Sequence, residues 1–380
     1  MGRSLPTRSA KLRLCAAAVT PILAAVGLAL APSGATADAF LPSPGQIFQG
    51  VAGQPISEYQ QATGKHPAVY QVFSAWGEYL PGMFKDAAAA QARLMIHITT
   101  ASGTQEMITP AGIAAGQGDA WLISLNNAIF QSGRPTYIRL MAEMDNANNP
   151  YCAFGSTGAY RGAGHSPTAY KNAWRRVTLI LRGGPVATID AQLHALGMPP
   201  VHASGTLPTP QVAMLWVPMT GGSPDIAGNQ PADYWPGRQW VDWVGTDFYS
   251  KFPNFTGLNS FYAAFRGLPF VFGEWAMWGG DDPGFVRELF GWVRSHPRVR
   301  MMIYNQGVNP VGPFRLSRFP ASARALRSLL ASPVFSSFTP DWLGQSASQP
   351  PPVAHHSHHR RHRRHRRRRH HRRHAVRRAG

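Results

Sequence analysis

A single-domain (β/α)8 barrel of the α/β class is the fold the sequence predicts, and three observations predict it. Eight short runs with strand character recur between helical patterns along the body of the chain. Several of these runs are apolar without strict alternation, as strands of a parallel sheet covered on both faces must be. The body between the two compositionally odd ends holds about 310 residues, enough to bury one sizeable core. An open, doubly wound sheet is the rival arrangement of the same elements.

The strands are expected at Ile47–Val51, Ala68–Phe73, Arg93–Thr99, Thr136–Ala142, Val212–Val217, Trp240–Phe248, Pro269–Phe272 and Val299–Tyr304. Helical patterns lie between them, among them Asp119–Gln131, Ala169–Leu181 and Pro283–Ser295. The last is announced by Asp282 before Pro283, a capping carboxylate followed by a proline whose missing N–H costs nothing at that position. No repeat of solenoid length interrupts the pattern.

The two ends differ from this body. Arg3, Arg8, Lys11 and Arg13 precede an apolar run from Cys15 to Ala31, which leads to Ala35-Thr36-Ala37. A basic start, a short apolar stretch and a small-x-small site describe a secretory leader, residues 1–37, cleaved after Ala37. An uncleaved anchor is the alternative, for which the apolar run is short. Cleavage would remove Cys15 and leave Cys152 without a partner, so neither a disulfide nor a cysteine zinc site is expected. The barrel domain is expected over 38–348. Gln349-Pro350-Pro351-Pro352 is a stiff linker opening a His/Arg-rich tail, 349–380, which cannot bury apolar area and is expected to be disordered.

The tail explains the charge. Taking its twelve arginines and the four leader bases from the net +19 leaves +3 for the body, so no basic groove for nucleic acid is indicated there. The tail's guanidinium groups suit anionic partners, and on a secreted protein these would be cell-wall polymers or acidic glycans. A solubilising tail without a partner is the alternative. Its nine histidines would bind metal in a tube without implying a cofactor. No phosphate loop, dinucleotide fingerprint or trustworthy metal-ligand spacing appears, so no cofactor and no metal is expected.

In a barrel, reacting groups stand at the C-terminal ends of strands. Those ends supply Arg139, Glu143 and Asp145 after the fourth strand and Asp247 and Tyr249 at the sixth. The seventh supplies Glu274 and Trp275, and the eighth Tyr304 and Asn305. Tyr137-Ile138-Arg139-Leu140-Met141-Ala142-Glu143 is an apolar strand that carries an arginine and delivers a glutamate as it ends. Phe270-Val271-Phe272-Gly273-Glu274-Trp275 does the same beside an indole. Two glutamates so placed suit a retaining glycosidase, where one carboxyl protonates the leaving oxygen and another attacks, about 5–5.5 Å apart. Flat sugar faces stack on aromatic rings, and Trp76, Trp216, Tyr249, Trp275, Trp278 and Tyr304 all fall at or just after strand ends. His97 closes the third strand, where packing in the core or a loop is expected more than a place in the cleft.

These residues carry a resemblance to glycoside hydrolase family 26, whose members include endo-β-1,4-mannanases, in the clan of (β/α)8 retaining hydrolases. Gly116-Gln117-Gly118-Asp119 resembles the family's glycine–aspartate helix start, and Arg139 through Asp145 its acid/base strand. Asn172-Ala173-Trp174-Arg175-Arg176-Val177 is similar to the helix that follows, and Trp240 through Tyr249 to its sixth strand. The resemblance implies a secreted endo-β-glycanase acting on a β-linked polysaccharide, with Glu143 as acid/base and Glu274 as nucleophile. It also implies that Tyr249 donates to the nucleophile and that Arg139 lies beside the carboxylates. Asp247 would position Tyr249 or the substrate, or make a structural bond at its strand end. One departure stands out, because the family has histidine before the acid/base where this chain has Ala142; Asp145 also replaces an asparagine. That departure keeps a second reading open, a non-catalytic glycan-binding or wall-associated protein on the same barrel.

Overall fold

The computed structural model describes residues 37–343 apart from 54, 79 and 80, so the expected leader and tail lie outside the described residues. Eight parallel strands form the barrel: β1 Ile47–Gly53, β2 Val69–Ala75, β3 Arg93–Thr99, β4 Thr136–Leu140, β5 Val212–Trp216, β6 Trp243–Tyr249, β7 Phe270–Ala276 and β8 Val299–Gly307. They pair in chain order, and β8 returns to pair with β1. The barrel is closed. Closure removes the edges that an open sheet would expose, and it excludes the doubly wound alternative.

Helices α1 Ile56–Thr63, α2 Pro81–Ala89, α3 Pro110–Ala114, α4 Asp119–Ser132, α5 Pro167–Arg182 and α6 Val186–Ala195 cover the first half of the barrel wall. Helices α7 Phe255–Ala264, α8 Pro283–Ser295 and α9 Pro320–Leu330 cover the second. The Asp282 cap forms as expected, its carboxylate accepting from the Phe285 amide at 3.1 Å. The strict alternation of strand and α-helix fails at one place. Between β5 and β6 the chain makes only two 3-10 turns, Pro231–Tyr234 and Arg238–Trp240. Pro218, Pro224, Pro231 and Pro236, with Gly221 and Gly222, deny that segment the N–H groups and backbone order an α-helix needs. No helix of the described residues is long and apolar enough to cross a membrane.

Side chains along each strand face inward and outward in turn. Outward residues such as Ile96, Ile138, Met214, Val244 and Phe272 pack against the helices. Inward residues Phe48, Met95, Tyr137, Leu215, Trp243, Val271, Met301 and Ile303 fill the barrel, with Phe40 closing its N-terminal end. This apolar filling stops one layer short of the C-terminal end. There Gln71, His97, Arg139, Asp247, Glu274 and Asn305 occupy the inward positions.

Of the register shifts along the barrel, the one that shapes the site lies in β7. Thr246 pairs with Phe272 and the next residue, Asp247, pairs with Glu274, so Gly273 is an extra residue in its strand. This β-bulge turns both Gly273 and Glu274 inward and sends Trp275 out. A side chain at Gly273 would meet Arg139 Nε at 2.8 Å and Asp247 Oδ1 at 3.0 Å. Only glycine fits.

Candidate active site

The inward polar layer forms the floor of a cleft of about 790 Å³, lined by Glu143, Glu274, Arg139, Asp247, His97 and Tyr249 among others. Glu143 reaches it through a backbone that breaks the strand. After Leu140, Met141 and Glu143 both adopt left-handed conformations, with φ of 43° and 50°. Such a conformation costs roughly 1–2 kcal/mol per non-glycine residue. The surroundings hold it in place. Met141 donates to the Ile98 carbonyl and Glu143 to that of Val217. The Ala142 carbonyl accepts from Tyr151 at 2.6 Å, and the Asn149 amide bonds the Glu143 carbonyl at 2.9 Å.

Glu274 is held from all sides. Tyr249 donates to Oε2 at 2.5 Å and the Asn305 amide to the same oxygen at 2.7 Å. Arg139 Nη1 pairs with Oε1, to which the Gln71 amide also donates at 3.2 Å. Burial by itself would raise the Glu274 carboxyl. Arg139 above all, with the hydrogen bond from Tyr249, outweighs it and holds this group far below the ordinary carboxylate range.

The second glutamate is shifted the other way. Burial and the charge of Glu274 raise the Glu143 carboxyl, against the opposing influence of the Asn146 amide, which donates to it at 2.8 Å, and of Arg139. Asp247 pairs with Arg139 Nη2, yet burial still pushes its carboxyl well above normal. His97 Nδ1 lies 2.8 Å from Arg139 Nη1 and, facing a donor, must accept, so the ring proton sits on Nε2. Burial and the Arg139 charge lower its pKa to about 4, leaving a neutral ring. Tyr249 is raised well above its usual value by burial and the neighbouring carboxylates, and it remains a donor.

The cleft has two unlike sides. Asn146, Asn148, Thr220, Ser223 and Asp225 present amides, hydroxyls and a carboxylate. Tyr249, Phe252, Trp278 and Phe314 present rings, and Phe73 adds another beside His97.

Of the aromatic residues expected to meet sugar, Tyr249 and Trp278 line the cleft and four do not. Trp216 faces outward from β5 and packs on Trp235, Phe261 and Phe265. Trp275 and Tyr304 pack on each other at 5.0 Å behind the barrel wall. Tyr304 is outward by strand parity, and Trp275 by the bulge. Trp76 packs against Trp121 at 4.9 Å, above the Gly118 turn. His97 corrects the opposite error, since its inward parity puts it in the cleft. Gln71 and Phe73 were missed although their parity in β2 could have found them; Phe252 and Phe314 lie on loops, where no such signal exists. Asp145 is buried beneath Glu143 and accepts from the Met219 amide at 2.9 Å, a structural tie between the β4 and β5 loops. Among the described residues no group of three or more His, Cys, Asp or Glu could hold a metal.

No family model matches the chain, and none of the curated proteins matches it by sequence. Solved structures match its fold. Bacillus subtilis mannanase man26 superposes with a TM-score of 0.51 at 14% identity, over 80% of this chain and 90% of that one. The Cellulomonas fimi endo-β-1,4-mannanase double mutant does so with 0.52 at 17%, over 80% and 77%. BoMan26A, a GH26 β-mannanase from Bacteroides ovatus, gives 0.51 at 14%, over 77% and 90%. In fold, the chain resembles the family 26 β-mannanases. The likeness is one of fold, and the chemistry has to be argued from the cleft.

Proposed function

We propose that the protein is a glycoside hydrolase, a retaining endo-β-glycanase of mannanase type. The observation that carries this reading is a pair of glutamates in one cleft whose surroundings drive their acidities apart. Glu274 is kept ionised and Glu143 is helped to keep its proton. That division of labour is what a double displacement requires. Glu143 gives its proton to the glycosidic oxygen while a Glu274 oxygen attacks the anomeric carbon, and the leaving sugar departs as an alcohol. Glycosylation removes the Glu274 charge, which lowers the Glu143 pKa and makes it the base that activates water for the second step. Tyr249 and Asn305 fix the attacking carboxylate.

The fold of the three mannanases supports β-mannan as the substrate class. The likeness in fold to the Cellulomonas fimi endo-β-1,4-mannanase supports cleavage within a chain rather than at its end. The expected leader extends the reading to a secreted enzyme. The arginine-rich tail extends it to retention on an anionic wall polymer, which deleting 349–380 would abolish while leaving catalysis intact.

The test is release of new reducing ends from mannan, glucomannan, lichenan and xylan. Glu274→Ala is expected to abolish it in a protein that still melts cooperatively, and proton NMR is expected to show the first product with retained β configuration. Full activity in Glu274→Ala would refute the assignment. Binding across the panel with no cleavage would favour the glycan-binding reading that Ala142 suggests.

A further inference from the structure

A groove of about 280 Å³ opens between α2 and α4, over the starts of β3 and β4. It therefore lies at the end of the barrel opposite the cleft, and hydrolysis makes no use of it. Phe84, Ala87, Ala88, Leu94, Pro135 and Trp342 make it apolar.

Trp342 is a wall that its neighbours fix in place. The Arg134 guanidinium lies over its ring, 3.5 Å from the centroid. Its amide donates to the Thr339 carbonyl at 2.9 Å, and the preceding Asp341 pairs with Arg93. The Trp342 indole N–H is buried and has no acceptor among the described residues. A buried donor left unpaired is costly, so an acceptor from elsewhere would stabilise this wall.

Three further observations name the occupant. The chain passes from Trp342 to Leu343, and six residues separate Leu343 from Pro350. Fully extended they span at most roughly 25 Å, so Pro350-Pro351-Pro352-Val353 stays within reach of the groove. The charged groups that line it, Lys85, Arg93 and Arg134, are all cations. Residues 344–354 carry no charge, whereas 355–380 hold twelve arginines and no acid, so the groove admits the first stretch and repels the second. Finally, a proline run is extended before it binds, and its carbonyls have no internal donors. Those properties suit it to an aromatic-walled groove that offers an N–H.

We propose that Pro350-Pro351-Pro352-Val353 docks in this groove, with one of its carbonyls accepting from the Trp342 indole. The His/Arg run then starts from the end of the barrel opposite the cleft, and a polyanion held by the tail stays clear of the carboxyl pair. The docking does not depend on the glycosidase reading, and either can fail without the other.

The full chain carrying Ala88→Cys and Val353→Cys, with Cys15→Ser, reports the docking as a disulfide in glutathione buffer. The effective concentration of the two thiols is expected to fall at least tenfold when Pro350, Pro351 and Pro352 are all replaced by glycine. Without the added cysteines, the same three glycines are expected to lower the melting temperature by about 2 °C. Trp342→Phe, which keeps a ring and lacks the donor, is expected to lower the effective concentration about fivefold. A tail that is tethered and undocked would give the same value in every chain, and that result overturns the proposal. A disulfide that forms between two chains and grows with protein concentration assigns the groove to a second copy and overturns it too. So does protection of the thiol at position 88 from maleimide that appears only when poly-L-glutamate is added. If Ala88→Cys does not fold, Ser132→Cys, from the α4 side of the groove, takes its place in each measurement.

Discussion

The two ends of the barrel each bury an arginine, and the two are used in opposite ways. At the N-terminal end, Arg93 lies among the rings of Phe40, Phe48 and Tyr137, with centroids 5.4–5.8 Å away. It bonds Tyr137 at 3.0 Å and pairs with Asp341 from the C-terminal segment of the described chain. Two cations, Arg93 and at 3.9 Å Arg134, meet one carboxylate, and aromatic side chains close the end. At the C-terminal end, Arg139 serves both Asp247 and Glu274, with Glu143 a third carboxyl nearby, under an open cleft. Burial of an arginine therefore does not mark function. An excess of carboxyls over cations, facing space that a ligand could fill, does so.

The contrast is sharpest when each arginine becomes methionine, similar in length and without charge. Arg139→Met is expected to lower glycan hydrolysis by about 10³-fold or more, because Glu274 then keeps the burial and loses the cation. Arg93→Met is expected to leave kcat/KM of the folded protein unchanged and to cost about 3 kcal/mol in urea unfolding, since Asp341 keeps only the longer contact to Arg134. Equal losses of activity in both variants would break the comparison.

Gly273→Ala tests the bulge that separates the layers. Its Cβ would press on Arg139 and Asp247, and about a 10²-fold fall in activity is expected without change in far-UV circular dichroism. Next come two tryptophans three residues apart. Trp278→Ala is expected to raise KM for mannan about tenfold, the loss of roughly 1.4 kcal/mol of ring contact. Trp275→Phe, behind the wall, is expected to leave KM alone and to lower stability by about 1–2 kcal/mol. A KM effect from Trp275→Phe would place that ring in the site after all.

The smallest effect concerns Asp145, whose carboxyl burial pushes up to about 8, with the Met219 amide opposing. An unfolded aspartate releases its proton near pH 4. Between those values the unfolded chain binds fewer protons than the folded one, so this residue's contribution to stability falls as pH rises from about 4 to 8. Asp145→Asn is expected to flatten that slope and raise the melting temperature most at pH 8. A slope of unchanged steepness would show that Asp145 is already ionised.

Strand positions were legible in the sequence because a parallel barrel needs continuous apolar runs, and Arg93–Thr99 and Pro283–Ser295 match the structure end to end. The two glutamates were legible for a related reason, since an acid directly after such a run stands out against it. Which neighbours join them was not legible. Assigning every aromatic near a strand end to the cleft ignored parity, which turns Trp216 and Tyr304 outward and His97 inward. For Tyr304, counting from Ile303 would have corrected the expectation. For Trp275 no count would have served, because the extra residue at Gly273 appears only when β7 is laid against β6. A sequence records which residues alternate, and it specifies where acids, rings and glycines fall along each strand. Only the pairing of neighbouring strands decides where alternation slips, and here one slipped residue directs Glu274 rather than Trp275 into the barrel.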